Sequence, residues 1–311
     1  MLRSTLLYLS NQPQIFRFVR RNRLAQKFAS RFVAGETLDT ALAAVRTLNA
    51  QGISASLDLL GESVHNEHEA RAQQAQYLAL LDAIAREQLD ANVSLKLTAM
   101  GLDIADELCV TIMQEILEKA RVHRTFVRVD MEGSAYTERT LRLFEDRLYP
   151  NFREQVGVVL QSYLRRTPAD VDRANQLKVR VRLCKGAYQE PSTVAFPDKG
   201  DVDRTYLRCM ERLVEHGNYP GFATHDERII AETKRFVAER GITRDRFEFQ
   251  MLYGVRRDLQ EQVVKDGYRL RVYVPFGTQW YPYLMRRLAE RPANVMFITG
   301  NVVRELLRRR S

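Results

Sequence analysis

The sequence predicts an α/β fold, a closed barrel of eight parallel strands each followed by a helix, and three observations predict it. Short apolar or alternating segments recur eight times, helical patterns fill the intervals between them, and 311 residues suit one large (βα)8 unit. Strict alternation of strand and helix needs crossover connections, which make the sheet mostly parallel. Eight such units in about 260 residues fit a closed barrel better than an open doubly wound sheet. No two of the 15 glycines are spaced as GxG, so neither the dinucleotide-binding fingerprint nor the phosphate-binding loop can be written anywhere in the chain.

Residues 1–35 hold no Asp or Glu but carry Arg3, Arg17, Arg20, Arg21, Arg23, Lys27 and Arg31. Phe16, Val19, Leu24, Phe28 and Phe32 fall near helical spacing. Basic amphipathic helices are therefore expected over 1–36, either packed on the main domain or lying on an anionic membrane. An acid-free, Arg-rich start also has the pattern of a mitochondrial transit segment. The barrel domain then runs from 37 to 311. Thr37 caps a helix carrying Leu38, Ala41, Leu42, Val45 and Leu48, which Gly52 stops. The strands follow as SASLDLLG (54–61), NVSLKLTAMG (92–101), FVRVDMEG (126–133), QVGVVLQSY (155–163), KVRVRLCKGAY (178–188), GFATHD (221–226), FEFQMLYG (247–254) and RLRVYVPFG (269–277). Helical patterns between them cover 67–89, 137–149, 202–217 and 227–241. Pro282 suits the first turn of a last helix, on which Tyr283, Arg286, Arg287 and Glu290 follow at three- and four-residue spacings.

With 45% hydrophobic and 28% charged residues, and no apolar run long enough for a bilayer, the composition is that of a globular protein. A net charge of +9 suits an anionic partner: nucleic acid, an acidic membrane, a phosphorylated cofactor or a carboxylate substrate. Cys109, Cys184 and Cys209 are far apart and odd in number, which argues against a disulfide framework and for a reducing compartment. His65 and His68 form the one close histidine pair and lack a third ligand, so no metal is expected. No nucleophile, base and acid set is legible.

Active sites of such barrels lie where strands end and the following loops begin. The polar residues there are Asp58, Lys96, Asp130 with Glu132, Gln161, Arg182 with Lys185, His225, Gln250 with Tyr253, and Tyr273. Strand interiors should be apolar and mostly β-branched, so these side chains need a reason. Lys96 and Asp130, on consecutive strands, could pair at the barrel mouth, closing the core or serving chemistry. Arg182 and Lys185 beside a glycine turn suit an anion or an electron-rich ring, or are solvated loop charges. Arg286 and Arg287 could fork onto one carboxylate, or belong to a solvated face. A basic barrel binding nucleic acid without catalysis is a second class, but the interleaved aromatics and duplex-reading motifs it would need are absent, and no nucleic acid is expected.

The segments FVAGETLDTAL (32–42), VSLKLTAMG, VRVDMEGSAYT, GVVLQSYLRRT, RVRLCKGAYQEP, FATHD, FEFQMLYGV, RVYVPFG and YPYLMRRLAERPANV follow one another over nearly the whole chain. In that order and spacing they resemble the proline dehydrogenases of the monofunctional bacterial type. The length leaves no room for the aldehyde dehydrogenase domain of bifunctional relatives. The resemblance implies a distorted (βα)8 TIM barrel that binds FAD non-covalently, with its last helix placed over the flavin. It implies oxidation of L-proline to Δ1-pyrroline-5-carboxylate, the first step of proline degradation to glutamate, with electrons passed to a membrane quinone. The setting implied is the bacterial cytoplasm, peripheral to the inner face of the membrane.

The family's substrate residues correspond to Lys96, Tyr273, Tyr283, Arg286 and Arg287. Its flavin residues correspond to Met131, Gln161, Arg182, Lys185, Gly186, Ala187, Thr224, His225, Gln250 and Leu252, with Asp130 and Arg182 catalytic. On this resemblance Arg286 and Arg287 grip the proline carboxylate, Tyr273 and Tyr283 shape the ring pocket, and Asp130 holds Lys96 near the carboxylate. Arg182 donates to the hydride-accepting nitrogen of the flavin. No general base is named, and solvent serves as proton acceptor. Within enzymes, the alternative is a flavin-dependent oxidoreductase of another cyclic amino or imino acid.

Overall fold

The structure, a computed structural model, describes residues 29–61 and 64–290, with side chains up to residue 285. Eight strands are hydrogen-bonded in sequence order, all parallel, and the last pairs with the first, closing the barrel. They are β1 (Ser54–Leu59), β2 (Ala91–Leu95), β3 (Val127–Val129), β4 (Val156–Gln161), β5 (Arg180–Cys184), β6 (Gly221–Ala223), β7 (Glu248–Leu252) and β8 (Leu270–Phe276). Seven lie inside the segments the sequence marks as strands, and β2 begins at Ala91, one residue before its segment. The described helices are α1 (Leu38–Asn49), α2 (Glu67–Arg86), α3 (Asp106–Val122), α4 (Ser134–Leu143), α5 (Thr167–Leu177), α6 (Lys199–His216), α7 (Glu227–Glu239), α8 (Arg257–Lys265) and α9 (Trp280–Glu290). No described helix is long and apolar enough to cross a membrane.

Local chemistry fixes the element ends. Thr37 accepts from the Thr40 amide at 3.3 Å while the Thr40 hydroxyl accepts from the Thr37 amide at 3.3 Å, a reciprocal cap that starts α1 one residue after Thr37. The helical pattern at 137–149 resolves into α4 followed by a short π-turn at Phe144–Leu148. Pro282 stands in the first turn of α9, as its missing N–H requires.

The outward side chains of the strands and the inner faces of the helices make the core. Val93, Leu95, Val127, Val129, Val181, Leu183, Phe249, Val272 and Val274 are fully buried there. The alternate positions point into the barrel, and they correct the expectation of an apolar lumen. Ser56, Asp58, Ser94, Arg128, Arg182, Glu248 and Gln250 are all buried inside it. Small residues make room for them: a Cβ on Gly157 would lie 2.2 Å from the Arg180 carbonyl and 2.8 Å from the Arg128 guanidinium.

Residues 29–36 run to the C-terminal end of β8, where the Ala34 amide donates to the Pro275 carbonyl at 2.8 Å and Gly277 to Gly35 at 3.0 Å. The Trp280 indole, opening α9, donates to Glu36 at 2.8 Å. Most of the expected basic helices of 1–36, and the chain beyond 290, lie outside the described residues.

Candidate active site

Arg182 is the centre of the mouth. The alternation of β5 turns it inward between Val181 and Leu183, and its guanidinium reaches three other parts of the barrel. Nε donates to Gln250 Oε1 of β7 at 2.5 Å, one Nη to Asp130 Oδ1 just past β3 at 2.7 Å, and the other to Ser56 Oγ of β1 at 3.2 Å. Three of its five N–H donors are thereby engaged. Tyr273 of β8 sets its ring 5.3 Å from the guanidinium carbon and donates its hydroxyl to the second Asp130 oxygen at 3.1 Å. A buried ion pair is tolerable when its remaining donors and acceptors are also met, and here both carboxylate oxygens are. Burial pushes the Asp130 carboxyl above its ordinary value, against the pull of Arg182 and Lys96 and with the push of Asp58.

Lys96 stands just past β2 at the same rim, and its ion pair corrects the expected one. Its partner is Asp58 of β1, at 3.6 Å, while the hydrogen bonds of Asp130 go to Arg182 and Tyr273. The parallel register explains this: Asp58 lies opposite Ser94, which brings it beside the position two residues on. Tyr77 of α2 closes the far side, donating to the Ser94 carbonyl at 3.0 Å and lying 3.5 Å from Asp58. Burial first, then the carboxylates of Asp58 and Asp130, push the Tyr273 phenol well above its ordinary value, and Tyr283 is near enough to add to that rise. Tyr283 is itself buried. Arg286 and Arg287 follow it by three and four residues on α9, with side chains outside the described residues.

A second group lies along β4 to β7. Gln161, buried at the end of β4, donates to the Met131 carbonyl at 3.4 Å, while its own Oε1 has no hydrogen-bond partner among the described residues. Gly186, at φ +105°, turns the chain after β5 in the left-handed region, and a Cβ there would lie 2.3 Å from the Tyr163 ring. Lys185 is shared by Asp203 at 2.6 Å and Asp226 at 2.8 Å. Burial would raise the Asp226 carboxyl, but the Lys185 contact, the Arg228 amide and the Lys199 charge together more than offset it, and the net shift is downward. Asp226 also caps α7, and its amide donates to the buried Thr224 hydroxyl at 3.1 Å. The Leu252 amide donates to His225 Nε2 at 2.9 Å, so the neutral ring carries its proton on Nδ1.

The chain matches the model of the family described as proline dehydrogenase over residues 41–300. It is 42% identical over 307 residues to "Proline dehydrogenase 1" of Bacillus subtilis (strain 168), covering 98% of this chain and 100% of that one. It is 40% identical over 305 residues to "Proline dehydrogenase" of Deinococcus radiodurans, covering 97% and 98%. The chain belongs to the proline dehydrogenase family. Among solved structures it resembles proline utilization A (PutA) from Bdellovibrio bacteriovorus inactivated by N-propargylglycine, with a TM-score of 0.80 at 27% identity. That likeness covers 85% of this chain and 32% of the other, so the chain spans about a third of that protein's length.

Of the site residues the sequence singles out, the structure gathers Asp130, Arg182, Gln250 and Tyr273 into one hydrogen-bonded set. It places Lys96 and Tyr283 within electrostatic reach of that set. Thr224, His225, Lys185 and Leu252 form the linked group beyond it. Sequence reasoning missed Ser56, Glu248 and Arg271 in the lumen, and Asp203 and Asp226 around Lys185. A signal for the first three was present: in SASLDL, FEFQML and RLRVYV, polar side chains recur at every second position, marking an inward polar face.

Proposed function

We propose that this protein is an FAD-dependent proline dehydrogenase that oxidises L-proline to Δ1-pyrroline-5-carboxylate and passes the electrons to a membrane quinone. The observation that carries it is the buried Arg182 at the barrel mouth, fixed by Asp130, Gln250 and Ser56 with two N–H donors left over, in a chain of this family. The residues present fit a flavin. The buried Oε1 of Gln161 suits a ring N–H, the spare Arg182 donors suit electron-rich ring atoms, and Lys185, held between Asp203 and Asp226, keeps one N–H for a polar atom of the cofactor. Met131, Gly186, Ala187, Thr224, His225, Gln250 and Leu252 complete that binding surface.

When bound, FAD supplies the two-electron acceptor for the C–H bond beside the proline nitrogen. The chain's own residues bind and orient. Arg286 and Arg287 hold the substrate carboxylate, and Lys96, anchored on Asp58, adds positive charge beside it. Tyr273 and Tyr283 wall the ring and exclude water. A hydride leaves the ring carbon and a proton leaves the nitrogen to solvent, forming the C=N bond, while Arg182 holds its positive charge where negative charge develops. The basic residues of 1–35 bring the protein to the anionic inner face of the cytoplasmic membrane, where the quinone dissolves.

The test is Arg286→Met and Arg287→Met, assayed with a soluble acceptor and with quinone-loaded anionic vesicles. Both variants are expected to stay folded and yellow but to lose about 2–4 kcal/mol of proline binding or transition-state stabilisation. They should also discriminate less against pyrrolidine, which lacks the carboxylate. Turnover with vesicles should fall with salt more steeply than turnover with the soluble acceptor. Near wild-type kcat/KM for proline in both variants removes the carboxylate clamp.

A further inference from the structure

Beneath Arg182 the lumen continues into a second layer. Glu248 precedes Gln250 by two residues on β7, so both side chains point into the barrel. The Glu248 side chain is 4% exposed. Its Oε1 accepts from Gln250 Nε2 at 2.6 Å and from Arg271 Nε at 2.8 Å, and its Oε2 accepts from the Tyr219 hydroxyl at 3.2 Å. Arg271 in turn donates to the Ala55 carbonyl at 2.8 Å.

An amide side chain has two ends of similar shape and opposite function. With a carboxylate beneath it, Gln250 must present its NH2 to Glu248, which turns its oxygen to Arg182. That oxygen accepts the Arg182 Nε–H at 2.5 Å. The flipped amide would set oxygen against carboxylate and NH2 against guanidinium. Gly221 on β6 supplies the room, since a Cβ there would lie 2.3 Å from Gln250 Nε2. From Arg271 through Glu248, Gln250 and Arg182 to Asp130, each donor meets an acceptor.

We propose that Glu248 is a positioning residue for the redox step: acting through the Gln250 amide, it sets the plane of the Arg182 guanidinium and so the direction of its two spare N–H donors. This rests on the flavin reading above. Arg271 balances the Glu248 charge in the lumen, so the device is neutral as a unit.

The experiment uses the FAD-bound protein. Glu248→Gln removes the compulsion on the amide but leaves Arg271 without its carboxylate, so the charge-balanced pair Glu248→Gln with Arg271→Met is studied beside it. FAD content, Tm, the flavin midpoint potential by dithionite titration, and kcat and KM for proline are measured. In the paired variant kcat per bound flavin is expected to fall about tenfold with KM within about twofold, the size expected from displacing one charge-assisted hydrogen bond. The midpoint potential should fall as well. A folded, yellow paired variant with wild-type potential and wild-type kcat overturns the proposal. So does a loss confined to Tm or FAD content with kcat per bound flavin unchanged, which marks a merely structural role. If proline fails to reduce even the wild-type flavin, the substrate reading fails instead, and the dithionite potential still decides the role of Glu248.

Discussion

Two sides of the same strands behave as different materials. On β5, Val181 and Leu183 face the helices and are wholly buried in apolar surroundings, while Arg182 between them faces the lumen and is held by three polar partners. The outer layer stabilises without direction: each fully buried aliphatic side chain contributes about 1.5–3 kcal/mol relative to exposure. The lumen works the other way, since every polar group taken out of water must find a partner or cost free energy. Arg182 finds its partners across the barrel, from β5 to β1, β7 and the end of β3. The difference teaches that a period of two residues separates stability from chemistry here. The apolar shell offsets the burial of a polar network whose return is a fixed arrangement of charge.

The largest effect should come from the outer layer. Leu183→Ala removes a fully buried side chain facing the helices and is expected to cost about 2–5 kcal/mol of stability by denaturant titration. Because it leaves the lumen alone, kcat/KM per folded molecule should stay near wild type. A change in the flavin potential would show that the two sides are coupled after all.

A smaller effect, on turnover, should come from Asp130. Its folded carboxyl titrates above the ordinary value of 3.8, because burial disfavours the charge. The stability it contributes is therefore fully present below the unfolded value and lost as pH rises through the folded value. Turnover needs the carboxylate that holds Arg182, so it moves in the opposite sense. The acid limb of kcat/KM is expected above the usual carboxylate range, with no parallel loss of Tm attributable to this group. Asp130→Asn should abolish that limb and cost about 1.5–3 kcal/mol of transition-state stabilisation. A limb of unchanged position in the variant would remove Asp130 from the profile.

The smallest effect belongs to the helix cap. Thr37→Ala deletes one side of the reciprocal pair with Thr40 and should cost about 1 kcal/mol of stability, read from the denaturant midpoint, with turnover unaltered. A turnover change would show that α1, which packs on β1 and β8, reaches the site.

The strands were legible because their apolar outward halves and turn residues are local signals: seven fall inside the segments the sequence marks, and β2 starts one residue before its own. Arg182, Asp130, Gln250 and Tyr273 were legible as strand-end polar residues, and the family motifs named them again. The partner of Lys96 was not. Choosing Asp58 over Asp130 depends on strand register and on Arg182 and Tyr273 having taken the Asp130 oxygens, neither of which adjacency along the chain reveals.

Composition, periodicity and motif order by themselves determined the (βα)8 alternation, the helix start at Thr37, the polar residues at the strand ends and the family. Those properties are written in residues a few positions apart, where φ/ψ preference and side-chain period act. Only the tertiary structure decided that the lumen is polar and that Glu248 stands beneath Gln250 and Arg182. It also decided that the ion pairs join Arg182 to Asp130 and Lys96 to Asp58. Ser56 and Arg182 are 126 residues apart, and no local preference encodes their contact. It arises because closing the barrel brings opposite strands within hydrogen-bonding reach and excludes the water that would otherwise satisfy them.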